Sequence, residues 1–182
     1  MSLAMGVFFA FSATPAFASS PALVTTPEQE MAPNPARQSM FDPSQTSATP
    51  LGSIRIPAID LDETVRSGVA MEVIDQGVAH WVGTSSAGDP GNVVLAGHRT
   101  THSRPFWALG ELEVGDLIYM DDGWGFEVMY RVSDVFVVDP SALWITYETD
   151  DPTLTMFACH PKGSARDRIV VSADLVAGRR IA

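Results

Sequence analysis

The stretch "TLTMFACHPKGSARDRIVV" (residues 153–171) holds the single cysteine of a 182-residue chain, and its reading decides both the fold class and the candidate chemistry. Alternation of an extended strand puts Leu154, Met156 and Ala158 on one face and Thr155, Phe157 and Cys159 on the other. Pro161 ends the ladder, because it has no N–H to donate and disfavours helix at the residue before it. Cys159 therefore sits at the C-terminal lip of a strand. Eight residues intervene before Arg168 opens "RIVVSADLV", and a connection this short most simply returns the chain antiparallel to its neighbour. Paired strands lie about 4.8 Å apart, so Cys159 and Arg168 face each other at one end of a sheet. A guanidinium beside a thiol favours the thiolate and can donate hydrogen bonds to an oxyanion.

Working outward, short runs rich in Val, Ile and Phe alternate with turn residues from Leu51 onward, which is the pattern of an all-β barrel or sandwich. Strands are expected at 53–59, 63–67, 92–96, 116–120, 125–132, 134–138, 153–159 and 168–176. Turns are expected at 89–91, 114–115 and 121–123. Helix is expected only at 70–76 and 105–111, one or two turns each, with Pro105 suited to a first turn.

The first 18 residues contain an apolar stretch from Leu3 to Phe11 and end in Ala16-Phe17-Ala18, a pattern signal peptidases accept. No Lys or Arg precedes Arg37, and the stretch is shorter than the roughly 20 apolar residues of a spanning helix. Residues 1–18 therefore read as a signal peptide or the remnant of a longer membrane anchor, the part that would meet the membrane. Residues 19–50 carry six prolines among Ser, Thr, Gln and Ala, too little apolar area to offset ordering entropy, and read as a disordered linker. The folded domain is expected over 51–182, with 19 acidic and 10 basic residues. The whole chain carries a net charge of −11, which repels phosphate backbones and excludes polynucleotide binding. A single Cys cannot form an internal disulfide, so this is not a disulfide-stapled scaffold.

A catalytic thiol needs a proton carrier, and the histidines are His80, His98, His102 and His160. His98 follows "NVVLAG" and emerges at a strand end after a glycine, where a side chain can project into a cleft. Nothing local joins it to Cys159, 61 positions away. The spacing of the four His and the Cys fits no structural zinc pattern, and the pairs Asp121-Asp122 and Asp150-Asp151 fall short of calcium's six to eight oxygens, so no metal is expected.

These residues resemble the sortases, cysteine transpeptidases of Gram-positive bacteria. "HWVGTSSAGDPGNVVLAGHRTTHSRPF" (80–106) is similar to the sortase histidine segment, particularly the class E type with "AGHRTT" and a following Pro-Phe. "TLTMFACHPKGSARDRIVV" resembles the segment in which a Thr-Leu-x-Thr-Cys motif precedes His-Pro and, nine residues after the Cys, an Arg. The likeness runs from Ile54 to Val176 and implies an eight-stranded β-barrel with one or two short helices. Carried over by position, it implies Cys159 as nucleophile, His98 as acid/base and Arg168 as the group stabilising the tetrahedral intermediate. Three positions depart. Met156 stands where the motif has Leu, Ala158 where it has Thr, and His102 where class E relatives usually carry a Tyr linked to preference for Leu-Ala-x-Thr-Gly over Leu-Pro-x-Thr-Gly signals. The resemblance marks Ala158 and His102 as substrate-binding positions.

The activity so implied is cleavage of a sorting signal between Thr and Gly and transfer of the Thr carbonyl to an amine of a peptidoglycan precursor, anchoring surface proteins that carry C-terminal sorting signals. It requires no cofactor, and the catalytic domain would lie outside the cytoplasm at the cell membrane or surface. One alternative is a pilin-polymerising sortase, for which "FDPS" (41–44) is the nearest thing to a lid motif. Another is a non-catalytic sortase-fold binding module, against which the joint presence of Cys159, His98 and Arg168 argues.

Overall fold

The alternating runs form eight strands in the computed structural model, which describes residues 48–181. They are β1 (Pro50–Ile56), β2 (Leu61–Ser67), β3 (Val78–His80), β4 (Asn92–Ala96), β5 (Leu117–Asp121), β6 (Phe126–Val138), β7 (Thr153–His160) and β8 (Asp167–Arg180). They close into a barrel in the order β1-β2-β3-β4-β7-β8-β6-β5. The expected all-β barrel is thus borne out. Residues 1–47, with the export segment, the "FDPS" stretch and nearly all of the Pro-rich linker, lie outside the described residues. Among the described residues, no helix is long and apolar enough to cross a membrane.

The strand count agrees with the sequence reading, but the membership differs. The runs 125–132 and 134–138 are one strand, β6, in which Val132 pairs with Ala173 and Asp134 with Ser172. Ser133 is the extra residue of a bulge there, so a polar pair that reads as a break instead bends a continuous strand. The eighth strand is β3, three residues long between Gly77 and Trp81, too short to show a period. It pairs parallel to β2 and antiparallel to β4 and so closes the barrel. The helix at 70–76 shrinks to α1 (Met71–Ile74), and that at 105–111 to a 3-10 turn over Leu109–Glu111 preceded by turns.

The inward faces form one core that includes Ile54, Ile56, Leu95, Tyr130, Leu154 and Met156, all fully buried. Leu154, Met156 and Ala158 face inward together, as the alternation requires. Tyr130 buries its ring and accepts a hydrogen bond at its hydroxyl from the Gly88 N–H (2.8 Å). Burial raises the phenol's pKa above its usual value. The buried Asn92 amide donates to the carbonyls of Ile145 (3.1 Å) and Tyr147 (3.0 Å), fastening the 3-10 segment Leu143–Thr146 to the start of β4.

Gly97, just after β4, lies against the buried Phe106 ring. A Cβ there would sit 2.8 Å from Phe106 Cδ2 and 3.1 Å from Pro105 Cγ. Glycine is required because the loop 98–106 folds back on the strand end, where the Phe106 N–H donates to the His98 carbonyl (3.1 Å). Gly97→Ala is therefore expected to lower stability by about 1–3 kcal/mol through overpacking, measured by urea denaturation.

His80, at the end of β3, donates from Nε2 to the Ser85 carbonyl (2.9 Å), and the Thr84 hydroxyl lies 3.1 Å from the same nitrogen. Burial depresses its pKa below 6.5, with the Ser85 hydrogen bond opposing. A group held neutral in the fold stabilises it fully above the unfolded pKa of 6.5 and loses that contribution as pH falls through the lower folded value. The urea midpoint is expected to fall between about pH 7.5 and about pH 5.5, with a smaller fall in His80→Gln, which keeps a donor and cannot charge.

Candidate active site

The geometry of the site begins with two pairings. β4 runs parallel to β7 in a register from Asn92↔Thr153 to Ala96↔Phe157. Two residues beyond that last pair stand His98 on one side and Cys159 on the other. β8 lies antiparallel to β7 on its opposite edge with Cys159↔Arg168 as Cα partners. Cys159 and Arg168 thus face each other across adjacent strands about 4.8 Å apart, and His98 lies in the segment just past the paired end of β4, on the other edge of β7. The Cys159–Arg168 juxtaposition read from the short loop is the observed register. The parallel pairing of β4 with β7, open in the sequence, brings the segment that carries His98 to the end of β7 that carries Cys159.

Cys159 is a free, half-buried thiol on the outer face of β7, the face that also carries Phe157, whose ring packs at 5.8 Å against Trp81. His98 is held from behind. Its Nε2 lies 2.7 Å from Oδ1 of Asp75, the residue that caps α1 at its C-terminus. An ionised carboxylate only accepts, so Nε2 is the donor of this hydrogen bond. His102 stacks on this imidazole at 4.7 Å between centroids and 25° between planes, with its Nδ1 3.3 Å from the same Asp75 oxygen.

The guanidinium of Arg168 donates from Nη1 to the carbonyls of Ala165 and Asp167, both at 3.0 Å. Hydrogen bonds from the Ser141 hydroxyl and N–H, with a smaller pull from Arg168, hold Asp139 below the usual carboxylate range. Arg166 is an exposed charge paired with Asp167 at 2.9 Å. Ala158 is 3% exposed on the inner face, so its methyl belongs to the core, on the side of β7 away from the thiol.

Two residues of the site carried no signal strong enough to be singled out from the sequence. Asp75 is 23 positions from His98 and stands at the end of a four-residue helix. Arg99 is buried, donates from Nη1 to His160 Nδ1 (2.7 Å), and reaches the Cys159 carbonyl at 3.5 Å. It thereby braces the backbone around the thiol from the loop that carries the histidine. A basic residue directly after "AGH" in an acidic domain was the available clue to it. The same two loops are tied at the surface: Lys162 Nζ lies 4.1 Å from the centroid of the Trp107 ring and 3.1 Å from Glu111 Oε1, and Arg104 packs on the same ring at 5.2 Å. The bond between His160 and Pro161 is cis.

This arrangement can be compared with known proteins. The sortase domain model matches residues 54–176. Sortase SrtE1 of Streptomyces coelicolor is 29% identical over 154 residues, 76% of this chain and 43% of that protein. Sortase D of Bacillus subtilis is 28% identical over 135 residues, covering 72% of this chain and 65% of its own length. This chain therefore spans between about two fifths and two thirds of the curated relatives it matches. Among solved structures, a variant of sortase E from Streptomyces avermitilis superposes with a TM-score of 0.68 at 24% identity, covering 74% of this chain and 93% of that one, a likeness of fold. With a matching domain over most of the chain, a closed eight-stranded barrel and relatives named sortase on both counts, the protein belongs to the sortase family.

Proposed function

We propose that this protein is a cysteine transpeptidase in which Cys159 is the nucleophile, His98 the acid/base and Arg168 the oxyanion donor. The observation that carries the reading is the register that sets Cys159 opposite Arg168 and brings the end of β4, two residues before His98, alongside β7. His98 takes the proton of the Cys159 thiol, and the thiolate attacks the carbonyl carbon of the Thr in a sorting signal of the Leu-(Ala/Pro)-x-Thr-Gly type, with Arg168 donating to the resulting oxyanion. The C–N bond to Gly then breaks, with His98 delivering a proton to the departing amine, and a thioester remains. An incoming amine attacks the thioester, His98 takes its proton, and the thiolate leaves as the new amide forms.

The acceptor in this proposal is an amine of a peptidoglycan precursor, the donors are surface proteins with C-terminal sorting signals, and the setting is the cell envelope outside the cytoplasm. Asp75 supports the scheme by orienting His98, since it fixes the Nε2–H tautomer through the 2.7 Å hydrogen bond. The free Nδ1 is then the atom that exchanges the proton. The hydrogen bonds of Arg168 to the carbonyls of Ala165 and Asp167 keep its guanidinium at the strand end.

The test is turnover of quenched fluorescent peptides carrying Leu-Ala-x-Thr-Gly or Leu-Pro-x-Thr-Gly, with and without an added amine. Amine-dependent ligation is expected. Cys159→Ala should abolish it by at least about a thousandfold, and Arg168→Ala should lower kcat by about 10²–10³, as loss of an oxyanion donor does. Rapid alkylation of native Cys159 by iodoacetamide with no turnover of either peptide would mean a different signal. Absence of both would mean a binding module.

A further inference from the structure

The imidazole that serves the thiol through one nitrogen takes part, through the other, in a second constellation. Asp75 Oδ1 is 2.7 Å from His98 Nε2 and 3.3 Å from His102 Nδ1. One donor atom from each of the three residues lies within 4.8 Å of both others. Tetrahedral zinc with bonds of about 2.0–2.1 Å separates its ligand atoms by about 3.3–3.4 Å. The edge from Asp75 to His102 already has that length, and the edge from Asp75 to His98 needs to open by about 0.6 Å, the change made when a metal ion replaces a bridging proton.

The donor set selects the ion. Two imidazole nitrogens and one carboxylate oxygen are the protein ligands of open zinc sites, which keep a further position for water. Calcium and magnesium want six or more oxygens, and the Irving–Williams order ranks zinc above manganese and iron at such a site. The cluster is also reachable, because the side chains of Asp75 and His102 are 36% and 49% exposed. His102 adopts a left-handed backbone (φ 55°), which His tolerates better than most residues and which accompanies the stacking of its ring on His98.

We propose that Asp75, His98 and His102 form a site for a divalent transition-metal ion, Zn²⁺ foremost, and that its occupancy switches the active site off. On binding, the neutral His98 ring keeps its proton but carries it on Nδ1, and the Nε2 lone pair goes to the metal. The nitrogen that would accept a proton then holds one already. The off state rests on the function proposed above, whereas the metal site does not.

The test uses the full chain, freed of metal by dialysis against a chelator and titrated with ZnCl₂ in a calorimeter. One Zn²⁺ per chain is expected, retained in Cys159→Ala and weakened at least about tenfold in Asp75→Asn and in His102→Asn. Asparagine tolerates the left-handed backbone at 102, and equal melting temperatures of variant and parent without metal will show that the fold is intact. Zn²⁺ is expected to raise the melting temperature of the parent and not of the variants. No saturable binding, binding untouched by both variants, or binding lost with Cys159→Ala would overturn the site. Peptide turnover should fall with a midpoint matching the binding isotherm and return with EDTA, and full turnover by the Zn²⁺-loaded protein would overturn the off state. One Zn²⁺ bound by a protein that turns over neither peptide in metal-free buffer would support the site and count against the proposed function.

Discussion

Everything at the proposed active site depends on one register, the parallel pairing of β4 with β7 that sets Ala96 beside Phe157. Side chains alternate faces with a period of two, so a slip of one residue would turn Cys159 into the core and bring Ala158 to the surface. The register is well specified because β4 is buried along its whole length and β7 is buried over Leu154–Met156 and at Ala158. Strands covered on both faces read as near-continuous apolar runs, as Val93 to Ala96 does, and such strands have no exposed face to tolerate an alternative pairing. The antiparallel return through β8 then adds Arg168 at no further long-range cost, since only a short loop separates it from Cys159.

What was legible in the sequence follows the distance over which each contact acts. The strand Asn92–Ala96 was readable because five buried residues are bounded by turn residues, and the facing of Cys159 and Arg168 was readable because the connection is local. β3 was not, since three residues show no period and its role is to join β2 to β4, which only the closed barrel makes evident. Ser133-Asp134 misled for the opposite reason: a local polar signal was overridden by a continuous ladder to β8. The grouping of His98 with Cys159 was suggested only by family resemblance, because parallel pairing across 61 positions leaves no local trace. Asp75 was beyond both routes, a carboxylate on a one-turn helix with no pattern connecting it to the histidine it holds.

The two arginines at the site divide its work by burial. Arg99 is 7% exposed and is spent on its own neighbours, the His160 ring and the Cys159 carbonyl, with Gly110 leaving room for its guanidinium at 2.9 Å from where a Cβ would stand. Burial lowers its pKa and Glu111 opposes that shift, yet a guanidinium remains charged. Arg168 is partly exposed and bonded to carbonyls. A buried cation therefore supports the backbone, while the partly exposed one is the oxyanion donor of the proposed mechanism.

The surface tie of Lys162 to Trp107 and Glu111 has a consequence for the population of states. An exposed cation–π contact is worth about 0.5–1 kcal/mol and an exposed ion pair about 0–1 kcal/mol. Together they amount to roughly 0.5–2 kcal/mol, so this surface tie, taken alone, is broken in a few to some tens of per cent of molecules at any instant. The tie at the surface is thus a weak latch that thermal motion releases, while the buried Arg99 contacts to His160 and to the Cys159 carbonyl hold the bases of the same loops together.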